Sequence, residues 1–213
     1  MSAPLSSPIA VSALDLAALL CSRVCHDLIS PVGAIVNGLE VLEEDKDEET
    51  KTFALDLIKK SAQQASAKLQ FCRLAFGAAG SAGAQIDLGD AEKVARGLLS
   101  DDKITMVWNL PRELAAKNRV KLLLNMLLVA IGCIPRGGTL TVAAVEDGKG
   151  FCITASGLNA RLGEATNDLL AGSPSRMVDA HAIQPVYTGI LARDCGLTVA
   201  ASVNGEAVEV TAR

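Results

Sequence analysis

Apolar residues in the first third of the chain recur in steps of three and four. Between about Ser7 and Glu44, the residues Cys21, Val24, Leu28, Ile35, Leu39 and Leu42 keep that rhythm, and Pro31 fills one step. Such a period predicts one long helix with a single apolar seam. An acidic run from Glu43 to Glu49 then breaks the pattern. It reads as a solvated turn followed by the acid-rich start of a second helix. In that helix Leu55, Ile58, Ala62, Ala65, Leu69, Cys72 and Phe76 again step by three and four. Two seams joined by a short turn make an antiparallel helical hairpin. One hairpin leaves much apolar surface uncovered, so the expectation is a four-helix bundle formed by a homodimer. Its core would contain Cys21, Val24, Leu28, Ile35, Leu39, Leu55, Ile58 and Leu69.

The texture changes after the small, glycine-rich segment Gly77–Ala84, the best linker candidate. The chain therefore divides into a helical domain, 1–79, and a mixed α/β domain, 80–213. In the second domain Ala84–Leu88 and Ile104–Leu110 read as strands, and Gly89–Ser100 as a helix. Asn118–Ile134 reads as a buried helix stopped by Pro135 and Gly137-Gly138. Thr139–Val145 and Phe151–Ala155 form a hairpin about Asp147-Gly148-Lys149-Gly150. Arg161–Ala171 and Ala182–Cys195 read as helices, and Leu197–Val203 with Ala207–Thr211 as a closing hairpin turning at Asn204-Gly205.

Composition narrows this picture. Of 213 residues 50% are hydrophobic and only 3% aromatic, a balance that favours helices over a β-sandwich. The net charge of −4 gives no basic footprint for nucleic acid. None of the six cysteines forms a C-x-x-C pair, and no secretory signal opens the sequence, so reduced thiols in the cytoplasm are expected. The longest apolar stretch, Val120–Ile134, is interrupted by Asn125 and falls short of a bilayer span.

Candidate chemistry centres on His26, one of two histidines. Histidine offers a neutral nitrogen nucleophile near pH 7. At 100° per residue, Ser22, Ser30, Gly33 and Asn37 fall within about 40° of His26, whereas Cys21, Val24, Leu28, Ile35 and Leu39 fall about 140–180° away. His26 therefore lies on a stripe of small polar residues, opposite the seam. Pro31 deletes the hydrogen bond to the carbonyl of Asp27, at a cost of about 3 kcal/mol. A local rule broken beside a reactive group is often a functional site, while Pro31 taken alone also reads as a harmless kink. His181, near Asp179 at a predicted helix start, reads as a surface or capping residue.

The segment His26-Asp27-Leu28-Ile29-Ser30-Pro31 resembles the H box of histidine-kinase dimerisation domains. The longer run to Glu40, with Val32-Gly33-Ala34-Ile35-Val36-Asn37-Gly38-Leu39, is similar to the ChpT family of alphaproteobacterial histidine phosphotransferases. That resemblance implies a dimeric bundle followed by a degenerate domain of the Bergerat, histidine-kinase ATPase type, with His26 as the phosphorylated residue. It implies a donor, the receiver domain of a hybrid histidine kinase. The implied acceptors are response regulators, such as a CtrA-class transcription factor and a CpdR-class receiver in cell-cycle regulation. Asp27 would orient the imidazole and Arg23 offset phosphate charge. Ser22, Ser30, Pro31, Gly33 and Asn37 would form the docking surface. No cofactor or metal is expected in the chain itself, since the receiver brings its own Mg²⁺.

Asn125 with Val129, followed by Pro135-Arg136-Gly137-Gly138, is similar to the N-box helix of histidine kinases. Kinases carry a second asparagine where this chain has Val129, a side chain with no oxygen for a hard cation. The adenine-binding acid is replaced by Ala155-Ser156-Gly157-Leu158-Asn159. The glycine-rich lid is replaced by His181-Ala182-Ile183-Gln184-Pro185-Val186, where Pro185 lacks an N–H for phosphate. The leading expectation is a phosphorelay shuttle that does not use ATP. Two rivals are an unorthodox ATP-using histidine kinase and a non-enzymatic dimeric adaptor.

Overall fold

A computed structural model describes residues 11–77, 84–99, 103–146, 148–172, 178–180 and 182–213. Helix α1 spans Ala13–Glu44 and α2 spans Glu48–Ala75. The Ser12 hydroxyl caps α1 by accepting from the Asp15 N–H at 3.1 Å, and Asp47 caps α2 by accepting from the Thr50 N–H at 2.9 Å. The predicted acidic start of α2 is thus real: Glu48 and Glu49 sit in its first turn, complementing the helix dipole. The chain reverses over Asp45–Asp47, and the helices run antiparallel in contact. A Cβ on Gly38 would lie 2.6 Å from Ile58 Cγ1 and 3.3 Å from the Ala54 carbonyl oxygen, so glycine there lets α1 approach α2 closely. The part of the α1 prediction before residue 11, and most of the Gly77–Ala84 linker, lie outside the described residues.

The rest is a mixed α/β sandwich. Strands β2 (Ile104–Trp108), β4 (Gly138–Ala144), β5 (Phe151–Ser156), β7 (Ala207–Ala212) and β6 (Val199–Asn204) form one sheet in that order. Only β2 and β4 pair in parallel. Helices α3 (Leu88–Leu98), α4 (Lys117–Cys133), α5 (Thr166–Ala171) and α6 (Ile183–Asp194) complete the layer against it. Residues alternate along β5 and β7, with Phe151, Ile153, Ala155, Val208, Val210 and Ala212 buried, as a sheet covered on one face requires. Gly137, at φ +85, makes the turn from α4 into β4 where a Cβ would strike the Lys103 carbonyl.

Three predictions are corrected. A short ribbon of β1 (Gln85–Asp87) and β3 (Leu114–Ala116) was not foreseen in its second strand, because Leu-Ala-Ala is too short to show a period. The helix expected over Arg161–Ala171 begins only at Thr166; a turn closed by Thr166 N–H on the Gly163 carbonyl precedes it. Asn204 remains in β6, and the closing hairpin turns on Gly205-Glu206, with φ +61 at Gly205, the residue that a type II′ turn wants first.

The hairpin and the sandwich share one core. Phe71 and Ala75, at the end of α2, are buried in the same cluster as Leu88, Leu123, Leu127 and Ile153. Phe76 packs on Tyr187 of α6, ring centroids 5.8 Å apart. Burial of Phe71 alone contributes about 1.5–3 kcal/mol, so the end of α2 is anchored. By contrast, one face of α1 and α2 is uncovered: Leu39, Leu55 and Leu69 are each about half exposed. Helix α1 is also long and apolar enough, by length and composition, to cross a bilayer, but it carries Arg23 and Asp27 mid-helix. A one-sided apolar stripe beside mid-helix charges suits packing against protein.

Candidate functional site

His26 projects from the middle of α1 with its side chain 69% exposed. Helix periodicity places Ser22 and Ser30 on its face, both exposed, together with exposed Asn37 and half-buried Gly33. The predicted polar stripe is therefore present. Pro31 departs from it: the ring is buried in the hairpin, away from that surface. Five residues beyond His26 it turns toward the seam, where it packs rather than docks. Of the predicted bundle core, Val24, Leu28, Ile35 and Ile58 are half-buried, while Cys21, Leu39, Leu55 and Leu69 stay exposed in the single chain.

Around His26 three charged residues converge. Asp27 Oδ1 lies 3.7 Å from His26 Nδ1, and Arg23 Nε donates to Asp27 Oδ2 at 3.3 Å. These are the two supporting residues expected from the sequence, and they contact each other. A third was missed. Lys68 on α2 donates its ammonium to the Asp27 backbone carbonyl at 2.8 Å. Behind them sits Cys72, whose thiol is pushed up to about 11, first by burial and then by the Asp27 carboxylate, against the opposing pull of Arg23 and Lys68. Among the described residues no cluster of histidine, cysteine and carboxylate side chains is arranged to hold a metal ion.

Arg23 also lines a cavity of about 810 Å³ between α1 and the sandwich. Its other walls are Val129, Gly132 and Cys133 from α4, Glu164 and Asp168 around the start of α5, and Asp179, Gln184 and Pro185 around the start of α6. The residues read from the sequence as the remains of a nucleotide site, Val129 and Pro185, do meet in this cavity. Asn125 does not open into it. It is fully buried, with its Nδ2 donating to the Ala75 carbonyl at 2.9 Å and to the Lys121 carbonyl at 2.7 Å. Gln184 Nε2 donates to Asn125 Oδ1 at 2.8 Å, and Gln184 Oε1 is buried without a hydrogen-bond partner. Asn125 therefore ties the end of α2 to α4 and α6. His181 and Asp147 lie outside the described residues.

Known proteins resemble this chain over most of its length. Residues 88–207 match the family described as histidine phosphotransferase C-terminal domain. The chain is 49% identical over 211 residues to the protein phosphotransferase ChpT of Brucella abortus (strain 2308), covering 98% of this chain and 100% of that protein. It superposes with TM-score 0.86 and 46% identity on a solved bacterial phosphotransferase, covering 98% of this chain and 100% of the other. The histidine kinase AdeS of Acinetobacter baumannii aligns at 12% identity over 88% of this chain and 95% of that one, with TM-score 0.45. The 49% identity over 98% of this chain and the family match over residues 88–207 place the sequence in one family, and the chain belongs to the ChpT family of histidine phosphotransferases.

Proposed function

We propose that this phosphotransferase carries a phosphoryl group between receiver domains on His26. The observation that supports it best is the exposed imidazole on the small, polar face of α1, flanked by Asp27 and Arg23. Asp27 lies on the Nδ1 side of the ring. It favours the tautomer with its proton on Nδ1 and the lone pair on Nε2, which makes Nε2 the nucleophile. Nε2 attacks the phosphorus of the donor's aspartyl phosphate: the P–N bond forms, the P–O bond to the carboxylate breaks, and the donor aspartate leaves as an anion. The Nδ1 proton is then released on the Asp27 side. Attack by a second receiver's aspartate reverses these steps. Such transfer depends on in-line placement and neutralisation of charge. Arg23 supplies charge from this chain, and each receiver supplies its own Mg²⁺.

The donor in this reading is the receiver of a hybrid histidine kinase, and the acceptors are response regulators, including a CtrA-class transcription factor and a CpdR-class receiver, in the cytoplasm. Ser22, Ser30, Gly33 and Asn37 form the docking stripe. The half-exposed face with Ile35, Leu39, Leu55 and Leu69 pairs with a second copy to complete a four-helix bundle. Nucleotide has no part in the reaction. Among the described residues lining the cavity, Glu164 and Asp168 face the guanidinium of Arg23, and Val129 gives a cation no oxygen.

The test is labelling with a phosphorylated donor receiver. The parent chain takes up label, His26→Ala takes up none while keeping its fold, and Mg·ATP alone labels neither. Label retained by His26→Ala overturns the assignment.

A further inference from the structure

Pro31 creates a demand that another residue meets. A proline inside a helix has no N–H to give to the carbonyl four residues earlier, and its ring crowds that carbonyl. In α1 that carbonyl belongs to Asp27, the residue after His26. A main-chain acceptor stripped of its partner in a part-buried setting is destabilising unless another donor reaches it. The donor is Lys68, from the other helix and 41 residues along the chain, at 2.8 Å.

We propose that Lys68 is a positioning residue for phosphotransfer, holding the His26 turn through the Asp27 carbonyl that Pro31 leaves open. This rests on His26 being the residue that accepts the phosphoryl group. The two cations grip Asp27 from opposite ends: Arg23 holds the carboxylate and Lys68 the carbonyl. Asp27 has little freedom left, and with it the carboxylate that faces His26 Nδ1 at 3.7 Å is fixed. Lys68 is half-buried, and its charge is felt at the Cys72 thiol together with those of Asp27 and Arg23, so the four groups share one electrostatic neighbourhood. The proline at 31 and the lysine act as one device. The proline frees a carbonyl at the reactive turn, and α2 uses that carbonyl to set the turn's position. A helix with an ordinary residue at 31 would satisfy this carbonyl internally, and the carbonyl would no longer depend on α2 for its partner.

Misplacement of a reacting group by about 1 Å costs on the order of 100-fold in rate. Lys68→Met keeps the length of the side chain and removes the donor. At saturating phosphorylated donor receiver, the single-turnover rate of labelling should fall about 10- to 100-fold. The donor concentration for half-maximal rate should stay within about twofold, because docking is untouched. Pro31→Ala restores an N–H at residue 31, so the Pro31→Ala/Lys68→Met double variant should recover at least half of the lost rate on a logarithmic scale. Lys68→Arg, which keeps a cationic donor, should remain within about fivefold of the parent. Circular dichroism and thermal melting confirm that each variant compared is folded, and the arginine variant carries the test if Lys68→Met does not fold. A folded Lys68→Met protein with the parent rate, a loss seen only in the half-maximal concentration, or a double variant no faster than Lys68→Met would each overturn the proposal. Failure of the His26 reading shows separately, as label retained by His26→Ala.

Discussion

Replacing Asn125 by leucine separates two readings of the position that the sequence likens to a nucleotide-binding asparagine. In a kinase-like site its amide would serve a metal ion, and its loss would cost little stability. Here the amide is fully buried and its three hydrogen bonds are internal. Leucine is close to asparagine in size, so the change is mainly one of polarity. The Lys121 carbonyl keeps its place in the α4 ladder and loses little. The Ala75 carbonyl, at the end of α2, loses its Asn125 donor, and Gln184 Nε2 loses its 2.8 Å acceptor. What remains to Gln184 Nε2 are two 3.4 Å contacts, to the Asn125 carbonyl and Thr188 Oγ1. Each stranded buried group costs about 1–3 kcal/mol, so Asn125→Leu should lower the unfolding free energy by about 2–6 kcal/mol, a large share of the 5–15 kcal/mol typical of a folded domain. Removing the stranded partner as well should return part of that loss. Gln184→Leu deletes both the Nε2 left with only its two 3.4 Å contacts and an Oε1 that already lacks a partner. The Asn125→Leu/Gln184→Leu protein should then be more stable than Asn125→Leu by about 1–3 kcal/mol. Urea unfolding followed by circular dichroism measures all three chains. A loss below about 0.5 kcal/mol in the single variant, the scale of an ordinary surface change, would refute the tie between α2 and the sandwich. So would a double variant no more stable than the single one.

Two further outcomes concern the hairpin. Cys72 has its thiol raised to about 11 by burial and by Asp27, whereas Cys21 and Cys25 are exposed; iodoacetamide at pH 8 with peptide mapping should modify Cys21 and Cys25 well before Cys72, and equal rates at Cys25 and Cys72 would contradict the local electrostatics. The sign for stability follows: the neutral Cys72 thiol contributes fully below the ordinary thiol value of about 9, and that contribution declines as pH rises from about 9 toward 11. The exposed face of α1 predicts a solution mass of twice 22.1 kDa by light scattering, falling to one chain in Leu39→Asp; a parent already at the mass of one chain would exclude the bundle.

The residues that could be read in advance are those whose reason is local. The three-and-four spacing of Val24, Leu28 and Ile35 dictates a helix and also its faces, and it alone puts His26 on the open side. The caps at α2 and the turn before it follow from Asp47, Glu48 and Glu49. The alternation in β5 and β7 follows from burial on one face. What escaped has its reason elsewhere in the chain. Strand β3 exists because β1 pairs with it across Gln85–Asp87, and nothing within Leu-Ala-Ala announces that. Asn125 looked like the remains of a metal site because a helix sequence says nothing about the end of α2 that it meets. Lys68 lies between these cases. The demand it answers was visible, since Pro31 strips the Asp27 carbonyl whatever the rest of the fold does. Its answer was within reach too: counting outward from the turn at Lys46 in an antiparallel hairpin brings residues 65–68 opposite 24–27, and Lys68 is the one cation in that stretch of α2. A face computed on one helix identifies what is exposed, but a broken hydrogen bond on that helix asks which element across the seam repairs it. At His26 that second question leads to the residue that the motif does not contain.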